Sequence, residues 1–384
     1  MNSLNKIIGI IGGGQLGKMM ILDAKRLGYK VVTLDPSENC PSHSISDKHI
    51  VASFNSREAY DELANQVDII TYEFEHINAD FLESLEQDGH KVYPTAKSLR
   101  IIQDKYSQKC CLRDAGILMP EFIKVTDVED LKQAGEKFGY PFMLKATTGG
   151  YDGKGNAVVK SELDIKKQYD ALGAGQIDLM AEKFCNFTKE ISVLACRGIN
   201  GDIAVYPVAE NIHINSILDE TIVPADLDKL CETKAMKMAH KVMEIFEGVG
   251  MFCTEMFVDA EGNIFLNEVA PRPHNSGHYT IESTLTSQYE QHIRAIVGLP
   301  LGDVELINPI VMKNILGSGV EGPTVIQGVE EAYQNPRAKV HIYGKQVSKP
   351  GRKMGHITVI GKDIKSIREE IKVAYNHISI IGGQ

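Results

Sequence analysis

Apolar and polar positions along the first hundred residues follow a rhythm of short apolar runs and longer amphipathic stretches. Apolar runs at 7–11, 31–34, 68–72 and 91–93 predict strands, and a 3.6-residue pattern over 15–27 predicts a helix. Strands and helices in this alternation predict a parallel sheet. Around Pro120 the pattern changes to a smaller α+β unit, with apolar strands near 142–144, 157–159 and 179–184. From Glu190 onward the strands read as antiparallel. Runs at 191–196 and 203–208 flank a Gly/Asn/Asp turn and predict a hairpin. Over 232–247, Ala235, Met238, Ala239, Val242, Ile245 and Phe246 recur at spacings of three and four, so a helix is predicted with that stripe in the core. A second hairpin, 340–343 with 355–360, precedes a terminal helix. The expected units are 1–100, 101–188 and 189–384, the last holding a hairpin-helix subdomain over about 305–384. The fold class is therefore α/β joined to α+β.

Composition narrows the partners. The 384 residues carry a net charge of -10, which argues against a general phosphate-backbone binder, so no nucleic acid is expected and any anionic ligand needs a local basic cluster. Seven cysteines lie scattered without a Cys-x-x-Cys pair, which argues against a disulfide framework or a zinc site and fits a reducing cytosol. The run at 7–11 is too short for a signal sequence or a membrane span. A cytoplasmic protein with no membrane association is expected.

Residues 12–17 satisfy G-x-G-x-x-G after an apolar strand, and Asp35 follows at the end of the next strand. That is the dinucleotide fingerprint with its ribose carboxylate. A βαβ start needs glycines where strand turns into helix whatever ligand lies there, so the motif alone does not make a nicotinamide enzyme. The first amides of the helix still favour an anion, with Gln15 and Leu16 lining a substrate pocket.

Two later segments carry more chemistry. Lys145 ends an apolar strand and is followed by Gly149, Gly150, Gly153 and Gly155, whose bare backbone can bend over a phosphate. No Gly-Lys-Ser/Thr opens a helix here, so this is not a P-loop. In the alternating run 251–258, Met251, Cys253, Glu255 and Phe257 share a face, and a short turn leads into 264–269, where Ile264, Leu266 and Glu268 share a face. Glu255 then falls opposite Glu268 or Asn267. Two such carboxylates repel by about 3 kcal/mol at an effective dielectric near 20, and a divalent cation relieves that. Magnesium suits one or two carboxylates completed by phosphate oxygens and water.

These residues resemble the ATP-grasp superfamily over nearly the whole chain: Lys105 in QDKY, Lys145 before a glycine-rich lid loop, the strand end Glu182, Lys183, Phe184 and Cys185, then Glu190, and the Glu255/Asn267–Glu268 pair. The resemblance implies an N-terminal Rossmann-like (pre-ATP-grasp) domain, a small lid and a C-terminal ATP-grasp domain. It implies ATP contacts by Lys105, Lys145, Gly150, Tyr151, Asp152, Gly153, Lys154, Gly155, Asn267 and Glu268. Adenine would meet Glu182 to Cys185, and Glu190 the ribose. His213 is a further nucleotide position on this likeness alone. Glu255 and Glu268 would hold Mg2+, with Mn2+ as a substitute.

Five segments, 14–19 (GQLGKM), 72–76 (YEFEH), 149–155 (GGYDGKG), 270–278 (APRPHNSGH) and 350–356 (PGRKMGH), narrow the resemblance to the 5-(carboxyamino)imidazole ribonucleotide synthase family of purine biosynthesis. That likeness implies ATP, bicarbonate and aminoimidazole ribonucleotide as substrates, carboxyphosphate as intermediate, and a homodimer. Arg272 and His274 could hold bicarbonate and stabilise charge, and Asp152 could take the amine's proton. Lys345, Lys349, Arg352 and Lys353 form a basic run for the ribonucleotide phosphate; Lys345, Arg352 and Lys353 are the favoured contacts, and Lys353 is also counted with the catalytic groups. Tyr151, Glu75 and Asn275 would surround the imidazole and ribose. Another ligase of the superfamily would keep the nucleotide residues but ignore this acceptor. A nicotinamide oxidoreductase would need no magnesium.

Overall fold

The computed structural model describes residues 5–150, 155–173 and 175–383. The first sheet is parallel, in the order Lys48–Val51, Lys30–Asp35, Ile7–Ile11, Ile69–Tyr72. Its apolar runs are continuous because both faces are covered. Ile8 and Ile10 pack on Met19 and Met20 of the helix Gln15–Arg26, and Ile11 packs toward Tyr60, Leu63 and Leu82 on the other side. Residues 91–93 form no strand, only a bridge from Val92 to Ile70. Pro94 removes the next ladder donor. The edge strand Lys48–Val51 escaped prediction because only Ile50 of its four residues is buried.

The second unit is a four-stranded antiparallel sheet, ordered Phe122–Val125, Leu179–Lys183, Phe142–Ala146, Asn156–Val159. Phe142, Leu144, Val159 and Ala181 bury one face against the helix Val128–Phe138. The sheet's strands Phe142–Ala146 and Asn156–Val159 lead into and out of the glycine-rich segment.

A third sheet runs through the remainder of the chain in the order Ile264–Ala270, Gly250–Asp259, Phe187–Arg197, Ala209–Ile214, Ile217–Val223, Ile310–Leu316, Lys353–Ile360, Ala338–Ile342. The two predicted hairpins both form within it. The first closes with Ile203–Val205, which stops short of 208 as Pro207 approaches, and the second is the far edge of the same sheet. The helix Lys229–Phe246 starts a turn earlier than the apolar pattern implies, because Asp228 caps it by accepting from the Cys231 amide. Met243 is fully buried on it, whereas Met238 and Ile245 are only partly covered. A small sheet of Val347–Ser348, Ser318–Gln327 and Ser379–Gly382 completes the described elements.

Candidate active site

The acidic wall of the site comes from the antiparallel pair Gly250–Asp259 and Ile264–Ala270. Asp259 closes the turn between them by accepting from the amides of Glu261 and Asn263. Glu255 pairs with Glu268 and Met256 with Leu266, which leaves Asn267 as an unpaired bulge residue. The bulge corrects the predicted facing. Glu255 and Phe257 are two apart and so share a face, yet their partners Glu268 and Phe265 are three apart. Glu268 therefore lies on the face of Phe265, and Leu266 turns away into the core with Phe252 and Val269. Burial and then the Glu268 charge push the Glu255 carboxyl up to about 7. Lys105, whose Nζ lies 2.6 Å from Glu268 Oε2, holds Glu268 low against its burial.

Lys105 begins the helix Lys105–Asp114, whose amide end is capped by Asp104. Gln108 fixes this helix to the strand Ile264–Ala270, accepting from the Val269 amide at 2.9 Å and donating to its carbonyl at 3.1 Å. One turn beyond Lys105 on the same side is Lys109. Its Nζ lies 2.6 Å from Glu182 Oε2, an ion pair off the line of a hydrogen bond, and Lys145 Nζ donates to Glu182 Oε1 at 2.6 Å. Burial pushes the Glu182 carboxyl up, but the two lysines outweigh it and hold it at about 2. Burial, and repulsion from Lys145, lower the Lys109 ammonium. Sequence reasoning missed Lys109. Its only signal was the four-residue spacing from Lys105.

The strand end after Glu182 presents Lys183, Phe184 and Cys185, but the Lys183 side chain turns to Glu121 and its amide donates to the Glu121 carbonyl. Glu190 and His213 come together, with Nδ1 3.2 Å from Oε2; burial lowers the His213 imidazole, but Glu190 wins and raises it. The Ala146 amide donates to the Gly155 carbonyl, which ties the two ends of the glycine-rich segment together, and Gly150 is the last described residue on its near side. Tyr151, Asp152, Gly153 and Lys154 lie outside the described residues.

At the glycine motif the anion is the protein's own. Glu73 is buried and accepts from Gly14 and Gly17 through its two oxygens, while Asp35 accepts from Gly13 and Ser37. A Cβ on Gly12 or Gly14 would sit 2.4–2.5 Å from Glu73 atoms, so these glycines serve a carboxylate and leave no dinucleotide cradle. The first-turn amides of Gln15 and Leu16 remain for a ligand. The Leu16 side chain does not line the pocket, being buried in the core with Ile8 and Met20. Gln15, Glu73, Lys345 and Arg352 line a cavity of about 370 Å³. Lys345 donates to the Lys353 carbonyl and Arg352 to that of Val347.

Between this cavity and the acidic wall, Arg272 grips Glu75 with Nε and a terminal nitrogen, spanning 197 residues of chain. Burial pushes Glu75 up, and Arg272 more than reverses this, to about 2. His274 is kept neutral by burial and by Arg272, down to about 3, with Nδ1 on Ser276 Oγ and Nε2 3.4 Å from Glu255. Lys353 adds to that lowering. Both amide atoms of Asn275 are buried without a hydrogen-bond partner among the described residues, as is the Thr147 hydroxyl two residues past Lys145.

Known families match in three stretches: a ribonucleotide synthetase preATP-grasp domain over 5–103, an ATP-grasp domain over 110–289, and a phosphoribosylaminoimidazole carboxylase C-terminal domain over 310–370. The chain is 44% identical to the N5-carboxyaminoimidazole ribonucleotide synthase of Bacillus subtilis, over 92% of this chain and 90% of that protein. The N5-carboxyaminoimidazole ribonucleotide synthetase structure from Thermotoga maritima superposes with a TM-score of 0.89 at 41% identity, covering 98% of this chain and all of that one. The Aspergillus clavatus synthase in complex with ADP and 5-aminoimidazole ribonucleotide gives 0.91 at 36% identity, over 97% of this chain and 98% of the other.

Proposed function

The chain belongs to the N5-carboxyaminoimidazole ribonucleotide synthase family, and on that premise we propose how its residues divide the work. It is an ATP-dependent ligase that carboxylates 5-aminoimidazole ribonucleotide in purine biosynthesis. ATP lies between the lid sheet and the long antiparallel sheet. Glu182, Lys183, Phe184 and Cys185 meet the adenine, Glu190 and His213 the ribose, and Lys105, Lys145 and the loop from Gly150 to Gly155 the phosphates.

Glu255 and Glu268 fit magnesium. They are two facing carboxylates, one of them raised by burial and then by the other's charge, and no cluster of three His, Cys, Asp or Glu among the described residues builds a closed cage. That is the donor set expected of an ion whose shell is completed by phosphate and water. When bound, the ion supplies charge neutralisation for the phosphoryl group in flight. Asn267, at the bulge beside Glu268, faces the same phosphates.

A bicarbonate oxygen attacks the γ-phosphorus, ADP leaves, and carboxyphosphate forms. The exocyclic amine then attacks its carboxyl carbon, phosphate departs and the amine loses a proton, for which Asp152 is the acceptor. Arg272 keeps two N–H groups beyond those given to Glu75 and Pro273, enough to hold an oxyanion. His274, neutral at working pH, donates a hydrogen bond rather than a charge. The ribonucleotide phosphate meets Lys345, Arg352 and the amides of Gln15 and Leu16, Lys353 sits by the carboxyl group, and Glu75, Tyr151 and the unpartnered Asn275 amide take the ribose and imidazole. The protein works as a cytoplasmic homodimer on the family likeness; no helix of the described residues is long and apolar enough to cross a membrane.

The observation that carries this reading is the Glu255–Glu268 pair facing Lys105 across from the Lys145–Glu182 pair. Incubation with ATP, magnesium, labelled bicarbonate and the aminoimidazole ribonucleotide should give acid-labile label in the nucleotide with matching ADP. ADP release that ignores bicarbonate would overturn it.

A further inference from the structure

We propose that Lys109 is a positioning residue for the nucleotide: it is the permanent counter-charge of Glu182, and so releases Lys145 to leave that carboxylate for the phosphates of a nucleoside di- or triphosphate. The proposal rests on the reading of Lys145 as a phosphate ligand.

Three ionised groups meet at the underside of the lid, all nearly sealed from water: the side chains of Lys109, Lys145 and Glu182 are exposed by 3%, 9% and 3%. Each lysine holds its own carboxylate oxygen at 2.6 Å. A buried carboxylate facing one lysine is a closed pair, and a phosphate could recruit that lysine only by stranding the acid without a partner, which is costly in a low dielectric. With a second lysine the cluster carries a surplus positive charge, and one ammonium can turn to an incoming anion while the other keeps Glu182 neutralised.

Geometry decides which lysine moves. Lys145 ends the strand Phe142–Ala146 and leads directly into the glycine-rich loop. Lys109 approaches from beneath, on a helix clamped to the long sheet through Gln108, with the Phe122 ring 6.0 Å from its Nζ. The same helix carries Lys105, paired with Glu268 on the opposite wall. One rigid helix thus fixes a cation against each side of the cleft.

The test is ADP affinity, by calorimetry on the full chain with magnesium, beside steady-state constants for the ribonucleotide. Lys109→Met should weaken ADP at least tenfold while the KM for the ribonucleotide stays within twofold, and Lys109→Arg should recover most of the loss. Adding Glu182→Gln to Lys109→Met removes the acid that needs a partner, so the double variant should bind ADP more tightly than Lys109→Met alone; if the single variant fails to fold, the double variant is read against the parent, and a loss of ADP affinity of tenfold or more overturns the proposal. ADP affinity within twofold of the parent in Lys109→Met, equal loss of both ligands, or a double variant no tighter than the single would each overturn the proposal. Lys145→Met separates the premise: if it leaves ADP affinity unchanged, the phosphate role of Lys145 fails, whatever Lys109 does.

Discussion

The two walls of the proposed nucleotide cleft carry opposite surpluses of charge. On the lid, Lys109 and Lys145 share one carboxylate, Glu182, and leave a net positive cluster. On the long sheet, Glu255 and Glu268 share one lysine, Lys105, and leave a net negative one. Each excess is held at a cost, since isolated charges in a poorly solvated site are destabilising. The lid surplus is spread over two ammonium groups on one acid and drives Glu182 down to about 2. On the sheet, burial and then the Glu268 charge raise Glu255 to about 7. The lid therefore suits a polyanion and the sheet a divalent cation. A magnesium–nucleotide complex presents both at once, so each wall is unsatisfied until the other half of the ligand arrives.

The most severe way to break this contrast is to neutralise the acidic wall. Glu268→Gln removes the carboxylate that Lys105 already holds and leaves Glu255 alone of the two acids proposed to hold the cation. Turnover at saturating ATP should fall by about 10²- to 10³-fold, in line with losing a principal electrostatic stabiliser of phosphoryl transfer. ADP release followed by a coupled assay measures it. Activity within tenfold of the parent would mean that the acidic pair serves no metal.

How much of the contrast could be read from the sequence differs between the walls. The carboxylate pair was legible because both glutamates lie on one hairpin, where strand pairing and a short turn bring them opposite each other. The bulge at Asn267 was not, since a two-residue period assumes an unbroken ladder, and it reversed which neighbours Glu268 joins. The lid lysine Lys145 was legible from its strand and the glycines after it. Lys109 was hidden: a lysine in a polar helix reads as solvated, and its burial depends on that helix docking under a lid whose Lys145 lies 36 residues away and Glu182 73 residues away in sequence. Glu73 was hidden for the same reason, as its oxygens reach back 59 and 56 residues to Gly14 and Gly17. Local pattern recovers groups on one hairpin or beside one turn. It does not recover partners supplied by tertiary docking.

A milder challenge removes a cation that belongs to neither wall. Arg352 lines the cavity beyond the Arg272–Glu75 pair, with Gln15 and Lys345. Arg352→Ala should raise the KM for the ribonucleotide about 10- to 100-fold, the worth of one or two charge-assisted hydrogen bonds to phosphate at about 1.5–3 kcal/mol. The KM for ATP should shift by less than twofold. A parallel rise in both would show that the cleft and the ribonucleotide cavity act as one electrostatic unit.

The smallest expected effect sharpens the contrast through pH, in protein stripped of metal with chelator and free of nucleotide. The two walls should respond with opposite sign. Glu182 is lowered from 4.5 to about 2, so its stabilisation is fully present above pH 4.5 and lost only as pH falls through 2; it contributes no slope between pH 5.5 and 8. Glu255 is raised from 4.5 to about 7, so its contribution is complete below pH 4.5 and is lost as pH rises through 7. Glu255→Gln mimics the protonated acid at every pH. It should leave the Tm near that of the parent at pH 5.5 and raise it by a few degrees at pH 8, where the parent must ionise Glu255 beside Glu268. Magnesium and ADP should reverse the order at pH 8, because the parent then gains a bound cation that the variant holds poorly. Differential scanning calorimetry at the two pH values reads both effects, and equal Tm differences at pH 5.5 and 8 would mean that Glu255 is not raised in the folded protein.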